Sequence, residues 1–327
     1  MTDMQAPPGG PDEGKSRAQA LSIARTGKFE IFRVEEMQLL EPAALLKEWR
    51  PDMISSYPDW LDKDFYAADS GSFRVSIHSW VIKSPTHTII VDTCGGNHKA
   101  RPASARFDQL DLPYLERLAA IGVAPEQVDF VICTHLHVDH LGWNTRLVNG
   151  QWVPTFPNAT YVLSSLDCKA RDPANVPPEA WQPAHLVFLD SVQPVIEAGL
   201  AWLAQGDEEI VPGINLVPMR GHSPGQMGVR LRSEGQEALF VGDVVHHPLQ
   251  VFNPDWNSRY CENAEMARAT RKQVLHHCSR HASLFLPAHF ARPHCGHIHE
   301  AGQAGEGGHA FSFTPLQQQA LAPRQPK

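Results

Sequence analysis

Thr134-His135-Leu136-His137-Val138-Asp139-His140 is the stretch that decides the fold, and it follows directly on the apolar run 129–133 (DFVIC). The apolar run predicts a short buried strand, so the polar side chains stand in the loop at a strand end. Functional side chains often converge on such loops because the strand is a rigid base. The first two histidines are two residues apart and share one side of an extended segment, whereas the aspartate and the last histidine lie where the chain turns.

This density of histidine and aspartate is typical of a metal site. An ordinary polar loop is the alternative, but three histidines this close would repel one another if their imidazoles were charged. The pair His135 and His137 offers imidazole nitrogens, while Asp139 and His140 offer an oxygen and a nitrogen. Zinc accepts both kinds of donor. The stretch therefore predicts two neighbouring groups of metal ligands.

Four further segments carry candidate ligands or supporting residues. In chain order they are Val91-Asp92-Thr93-Cys94, Gly221-His222-Ser223-Pro224-Gly225, Phe240-Val241-Gly242-Asp243 and Leu286-Pro287-Ala288-His289. Together with HLHVDH, which matches HxHxDH, they resemble the ordered motifs of metallo-β-lactamase-fold hydrolases, over roughly residues 70–295. Cys94 departs from the pattern, because glycine is usual there.

The resemblance implies a four-layer αββα sandwich of the α/β class, with metals held between loops at one edge of two sheets. The irregular alternation of predicted strands and helices also suits a layered α/β fold. We expect one domain over residues 26–327. Residues 1–25, which are rich in Pro, Gly and charge, are predicted to be a disordered tail.

Position by position, the resemblance implies that His135, His137 and His222 hold one metal ion. Asp139, His140 and His289 then hold a second, and Asp243 bridges the two. A cap or turn role is the alternative for Asp243. Asp92 is either an acceptor that orients a ligand imidazole or the start of an Asx turn. Two Zn²⁺ per chain are expected, with Mn, Fe or Co as other metals that this ligand set accepts.

Two bridged metals would present a hydroxide that attacks an ester, lactone or phosphoester of a small molecule. The predicted catalytic residues are Asp139, Asp243 and His246, the last in a substrate or proton role. The segments around the ligands look most like the lactonase and arylester or organophosphate hydrolase branch of the family.

Other activities of the family are less favoured by the sequence. The β-lactamases lack the bridging aspartate. Thioester hydrolases of the glyoxalase II type usually add a C-terminal helical domain, for which little chain remains after His289. An iron-dependent oxygen-using or redox enzyme on the same scaffold stays open, because the ligands also suit iron. A metal-stabilised binding protein is weaker, since every ligand position is filled.

The composition excludes several other classes of protein. The chain has 327 residues, a formal net charge of −8 and 42% hydrophobic residues, so it can bury a core, and it would repel nucleic acid. Its 6 cysteines form no CxxC pair. No signal-peptide segment and no apolar run long enough for a membrane span is visible. We expect a cytoplasmic protein with a small-molecule substrate and no membrane partner; a homodimer is left open.

Apolar patterns predict most of the elements. Strands are predicted at 29–34, 73–82, 88–91, 129–133, 160–163, 215–217, 228–231, 238–241 and 283–286. Helices are predicted at 113–120 and 264–281, with a further helix within 183–205.

The remaining expectations concern the surroundings of the site. His246 and His247 follow Asp243 closely, so they are candidates to face the pocket. One of the two is expected to be only a polar surface group. Trp143 and Trp256 are predicted either to line the pocket or to be ordinary core residues. The histidines 294, 297 and 299 are interpreted as a surface loop. Substrate specificity is assigned to loops 40–70, 142–158 and 246–260.

Overall fold

A computed structural model describes residues 22–301 and 309–316 of the chain. Most of the predicted tail, residues 1–21, lies outside the described residues. Its predicted end at residue 25 is wrong, because Ala24–Thr26 is a strand that pairs antiparallel with the segment 29–31. No helix within the described ranges is long and apolar enough to cross a lipid bilayer.

Seventeen strands and seven α-helices are found in the described part of the chain. The strands are β1 (Ala24–Thr26), β2 (Phe29–Pro42), β3 (Tyr66–Ala67), β4 (Ser72–Lys83), β5 (Thr88–Val91), β6 (Phe130–Ile132), β7 (Thr145–Val148), β8 (Gln151–Pro154), β9 (Thr160–Ser164), β10 (Ala201–Ala204), β11 (Glu209–Val211), β12 (Ile214–Pro218), β13 (Met227–Ser233), β14 (Gln236–Gly242), β15 (Leu284–Pro287), β16 (Gly296–Glu300) and β17 (Phe311–Pro315). The helices are α1 (Asp59–Phe65), α2 (Tyr114–Ala120), α3 (Ser165–Arg171), α4 (Pro183–Ser191), α5 (Gln193–Glu197), α6 (Leu249–Phe252) and α7 (Ala264–His281).

The strands form two large sheets and one small hairpin. The first sheet has the order β1-β2-β4-β5-β6-β9-β10, with β3 also paired to β4. The second runs β11 to β17 in chain order, and β7 pairs only with β8. Strands β5, β6, β9 and β10 are mutually parallel, as are β14 and β15. The carboxyl ends of these parallel strands are where the ligand loops begin.

Apolar side chains form three clusters that separate the layers. One cluster joins the inner faces of the two sheets, including Trp80, Val162, Leu231 and Phe240. A second packs α2, α4 and α5 on the outer face of the first sheet. A third packs α1, α6 and α7 on the outer face of the second sheet. Each sheet is thus covered on both faces, and the predicted αββα sandwich is confirmed.

The predicted strands all lie within observed strands or overlap them, and the predicted helix 264–281 matches α7. The segment 183–205 is different from the prediction. It holds two short helices, α4 and α5, followed by strand β10, because Pro194 in the first turn of α5 cannot continue the hydrogen bonding of α4.

The surface-loop interpretation of the last histidines is wrong. His294 is buried and donates from Nδ1 to the Phe290 carbonyl at 2.8 Å. His297 and His299 lie on β16, between β15 and β17, where the intervening Ile298 points into the core. Alternation around a single isoleucine was too short a signal for a strand.

A buried arginine ties helix α7 to the loop that leads toward the ligands. Arg271 is fully buried and donates to the carbonyls of Val244, Pro254 and Trp256 at 2.8 to 2.9 Å. Its remaining nitrogen donates to Asn257 Oδ1 at 3.1 Å. Arg271 therefore satisfies the carbonyls of Val244 and Pro254, and it shares the Trp256 carbonyl with Gln250 Nε2, which donates to it at 3.0 Å.

Arg271→Met is expected to lower the free energy of unfolding by about 3 kcal/mol, because the carbonyls of Val244 and Pro254 lose the Arg271 donor in a dry environment. Arg271→Lys should restore less than half, since one ammonium cannot reach all three carbonyl acceptors. Urea unfolding measures both, with Arg280→Met, exposed on the same helix, as the control. Equal midpoints for Arg271→Met and the control would contradict the assignment.

Candidate metal centre

Seven predicted ligands meet at the edge where the two sheets end. Each offers one nitrogen or oxygen atom, and the atoms fall into two groups whose members lie within 4.8 Å of one another. The first group is His135, His137, His222 and Asp243; the second is Asp139, His140 and His289. The structure thus assembles the two sets that the sequence analysis assigned to two metals.

The backbone explains why these residues meet. The four ligands of the HLHVDH segment follow β6. Asp243 follows β14 and His289 follows β15, and these two strands are adjacent and parallel. Gly242 has a φ of +51°, and a Cβ there would meet Thr134 Oγ1 at 2.8 Å. Only glycine fits this turn without strain. The turn brings the end of β14 against the loop after β6.

Asp243 lies between the two groups. Its Oδ1 is 3.0 Å from His289 Nε2 and 3.3 Å from His140 Nε2. Its Oδ2 is 3.3 Å from His222 Nε2 and 3.8 Å from His135 Nε2. One carboxylate oxygen therefore faces each group, which is the placement that a bridging carboxylate requires. Asp243 Oδ1 accepts no hydrogen bond from a described residue, whereas a cap or turn role would need a backbone amide as donor.

The unpartnered atoms of the site fit metal ions. His135 Nε2, His140 Nε2 and Asp243 Oδ1 are buried and have no partner in hydrogen-bonding geometry among the described residues. Leaving such atoms unpaired costs about 1–3 kcal/mol each. Imidazole nitrogen and carboxylate oxygen are donors that Zn²⁺ and similar divalent ions accept. The residues present thus suit two such ions.

The electrostatics keep most ligands in metal-binding form. Burial lowers the pKa of His135 well below its usual range, and the neighbouring His140 lowers it further. Burial also lowers the pKa of His222 strongly. Burial opposes ionisation of Asp243, but the surrounding imidazoles, led by His289, hold the pKa of Asp243 well below its usual range. Neutral imidazoles and an ionised carboxylate are the protonation states that bind a metal. Burial opposes the charged form of His140 and His289, but Asp243 raises the pKa of both, so these two imidazoles would release a proton when a metal binds.

Asp92 orients one ligand directly. Its Oδ2 accepts from His140 Nδ1 at 2.8 Å and from Thr134 Oγ1 at 2.9 Å, while Oδ1 accepts from the Thr134 amide at 2.7 Å. These partners are more than 40 residues away in the chain, so the Asx-turn alternative is wrong. The contact leaves His140 Nε2 to face Asp243.

Two supporting carboxylates were missed by the sequence analysis. Asp167, buried on α3, accepts from the Leu136 and Gly225 amides at 3.1 and 2.6 Å and from Ser223 Oγ at 2.7 Å. It joins the HLHVDH loop to the GHSPG loop. Glu36, buried at a bulge in β2, accepts from the Gly95 and Gly96 amides at 2.8 and 2.9 Å. No spacing or motif in the sequence points to either contact.

The neighbours of Asp243 divide into one site residue and one core residue. His246 is buried beside the pocket, with Nε2 3.1 Å from Asp243 Oδ2. His247 faces away from the pocket. It packs on Phe73 with ring centroids 4.3 Å apart and lies 3.3 Å from the Phe65 carbonyl. Both are buried, so the expectation that one is a surface group is wrong.

Neither predicted tryptophan lines the pocket of the metal centre. Trp143 donates to Glu36 Oε1 at 2.7 Å and stacks on Tyr114, so it is a core residue. Trp256 is half-buried, and its carbonyl holds Arg271. The core alternative describes Trp143, and Trp256 has a structural role through its backbone.

A cavity of about 520 Å³ opens beside the metal centre, and five of the seven ligands line it: His137, Asp139, His222, Asp243 and His289. Apolar side chains dominate its walls, among them Phe107, Ile77 of β4 and Leu186 of α4. Of the predicted specificity loops, 40–70 and 246–260 contribute and 142–158 does not, while residues 100–107 and 183–187 were missed. Arg101 ties the two missed walls together through a bidentate pair with Asp190 at 2.6 and 2.8 Å.

Several curated proteins are similar to part of the chain. N-acyl homoserine lactonase AiiB of Agrobacterium fabrum is 26% identical over 201 residues, which cover 53% of this chain and 64% of that protein. N-acyl homoserine lactonase of Bacillus cereus is 26% identical over 117 residues, 36% of this chain and 38% of that protein. The matched region thus spans less than two thirds of these relatives.

Solved structures share the fold over most of the chain. Hydrolase AbOPH of the beta lactamase superfamily superposes with a TM-score of 0.73 at 23% identity, covering 91% of this chain and 97% of that one. AidC, a dizinc quorum-quenching lactonase in complex with a product, gives 0.68 at 18% identity, with 90% and 96% covered. A model of the metallo-beta-lactamase superfamily matches residues 73–302, so this chain, with its ligands in that family's order, belongs to the metallo-beta-lactamase superfamily.

Proposed function

We propose that this protein is a dinuclear-metal hydrolase, with zinc as the leading metal, that cleaves carboxylic esters or lactones carrying an apolar group. The placement of Asp243, with one oxygen toward each group of ligands, carries the proposal. The names of the curated relatives, N-acyl homoserine lactonases, support the lactone class.

His135, His137 and His222 would hold the first metal, Asp139, His140 and His289 the second, and Asp243 would be shared. When bound, two such ions lower the pKa of water toward neutrality and polarise the oxygen of a substrate carbonyl. Asp92 and Asp167 hold the ligand loops before substrate arrives, so that little reorganisation is needed during reaction.

His246 is proposed to contact the reacting group of the substrate. It lines the cavity, and its Nδ1 has no hydrogen-bond partner among the described residues. With Nε2 directed at Asp243, the free Nδ1 is available to hold or move a proton at the leaving oxygen of the substrate.

The cavity supports an apolar substrate rather than a charged one. Leu39, Val75, Val187 and the residues named above form walls that bury hydrocarbon away from water. A buried methylene group contributes about 0.8 kcal/mol. An acyl chain or aryl ring therefore gains affinity there, whereas a phosphodiester would lose hydration. The two arginines that line the cavity, Arg101 and Arg106, are already paired with Asp190 and Glu41.

The purified protein is expected to hold two metal ions per chain after reconstitution, because the ligands form two groups that share one carboxylate. Elemental analysis measures the count and distinguishes zinc from iron. Removal by a chelator should abolish ester and lactone hydrolysis, and added zinc should restore it. A count below about one per chain in reconstituted protein would contradict the proposal.

Asp243→Asn is expected to lower turnover by more than about 100-fold, because even outer-sphere changes at metal sites cost 10–100-fold. The amide is neutral and offers one oxygen, so the two groups lose their shared anion. The melting temperature of the metal-free protein should change little. Asp255→Asn, an exposed carboxylate paired with Lys272, is the control. Near-normal turnover with two bound metals, or an unfolded variant, would refute the bridging role.

Lactones or aryl esters with increasing acyl length are expected to show kcat/KM rising by up to about fourfold per methylene until the cavity is full. β-Lactams should be poor substrates, and phosphotriesters intermediate. Leu186→Trp at the exposed rim should lower kcat/KM for long chains and leave acetyl esters unchanged, whereas Leu147→Trp, exposed elsewhere, should do neither. Faster opening of β-lactams than of any ester or lactone would overturn the substrate class.

A further inference from the structure

The far side of one ligand imidazole contacts a carboxylate that no motif of the family includes. His137 Nδ1 lies 2.9 Å from His222 Nε2, inside the first group of ligands. On the opposite edge of the ring, His137 Nε2 lies 3.3 Å from Glu262 Oε1. Glu262 is far from all five motifs in the sequence and lies just before α7.

The chemistry of imidazole decides the direction of this contact. A neutral ring carries one N–H, and the nitrogen that binds a metal must be bare. If Nδ1 faces the metal, Nε2 carries the hydrogen and can donate to Glu262. Arg171 Nη2 is also 3.3 Å from Nε2, but a guanidinium has no acceptor, so Arg171 cannot receive that hydrogen.

Arg171 instead holds the carboxylate. Its Nη2 donates to Glu262 Oε1, the same oxygen that faces His137. Arg171 is the last residue of α3, one turn after Asp167, which holds the Leu136 amide next to His137. One short helix therefore positions the backbone and the side chain of the same ligand loop.

The backbone of Glu262 is fixed by the other ligand loop. Its amide donates to the His222 carbonyl at 3.1 Å, and the next amide, of Asn263, donates to the Gly221 carbonyl at 2.9 Å. Asn263 then caps α7 through Met266 N at 3.0 Å. Glu262 thus stands at a fixed point between the loops that carry His137 and His222.

We propose that Glu262, held by Arg171, is a positioning residue that fixes the ring orientation and tautomer of His137 and so strengthens the first metal position. Asp92 has the corresponding contact with His140 at the second position. The two differ in exposure: the Asp92 side chain is 5% exposed and that of Glu262 is 37% exposed. A contact open to water is weaker, so the first metal should be the more easily released. This inference rests on the proposed metal function.

The test is stepwise removal of zinc from reconstituted full-length protein by a competing chelator, followed by a zinc-sensitive dye. Wild type should release two equivalents in two steps, the first position before the second. In Glu262→Ala, one equivalent of zinc should have an apparent Kd about 10–100-fold higher than in wild type. The apparent Kd of the other equivalent should change by less than about threefold. Glu262→Gln should lie between, because the amide oxygen accepts the hydrogen bond without the charge. Arg171→Met should weaken the same single step.

Asp255→Ala removes another exposed carboxylate paired with a cation near α7 and should match wild type. The metal-free melting temperatures of all variants should agree within a few degrees, which separates positioning from folding. Unchanged release from Glu262→Ala would overturn the inference, as would equal weakening of both equivalents together with a lower metal-free melting temperature. A wild type that binds no zinc would instead overturn the proposed function itself.

Discussion

The site depends on a single buried negative charge. Asp243 is 3% exposed, and five imidazoles lie within 4 Å of its oxygens: those of His135, His140, His222, His246 and His289. In the described part of the chain no lysine or arginine pairs with it. A buried carboxylate needs a compensating positive charge. Burial lowers the pKa of His135 and His222, so these two imidazoles compensate it poorly, and only His140 and His289, whose pKa values Asp243 raises despite their burial, oppose its charge. Metal ions held between the carboxylate and the imidazoles would remove this imbalance, and the turns at Gly242 and after β6 place the ligands for it.

Two buried carboxylates outside the ligand set act on the loops that carry the ligands. Asp92 and Asp167 accept from the amides of Thr134 and Leu136, the residues on either side of His135. Asp92 itself has a φ of +59°, an unfavourable backbone that its three hydrogen bonds stabilise. Charge-assisted bonds of this kind are short and strong, so they fix ring positions without any metal present. The loop is therefore arranged for binding before a ligand arrives.

How far the sequence predicted this arrangement depends on the distance between contacting residues. The ligands follow apolar strands immediately, so strand ends and ligand identity could be inferred from local text, and α7 was predicted to the residue. The contacts of Asp167 with Leu136 and of Glu262 with His137 join residues 31 and 125 apart. Each is an ordinary polar residue in its own neighbourhood. Helix α3 brings these residues together, because Asp167 contacts the HLHVDH and GHSPG loops and Arg171 contacts Glu262. No periodicity in the sequence encodes such contacts.

The cavity walls also depend on contacts between residues that are distant in the sequence. The walls at 100–107 and at α4 come from segments about 80 residues apart, and the pair of Arg101 with Asp190 fixes their spacing. Lys99, buried and 3.7 Å from the ring of Trp152, reaches the carbonyl of Asp190 at 3.3 Å and supports the same junction. No hydrogen bond found among the described residues joins Lys99, Arg101 or Asp190 to a ligand of the metal centre. Changes at this junction would reshape the apolar walls while the ligands stay in place, so substrate choice and metal binding are encoded by separate residues of the fold.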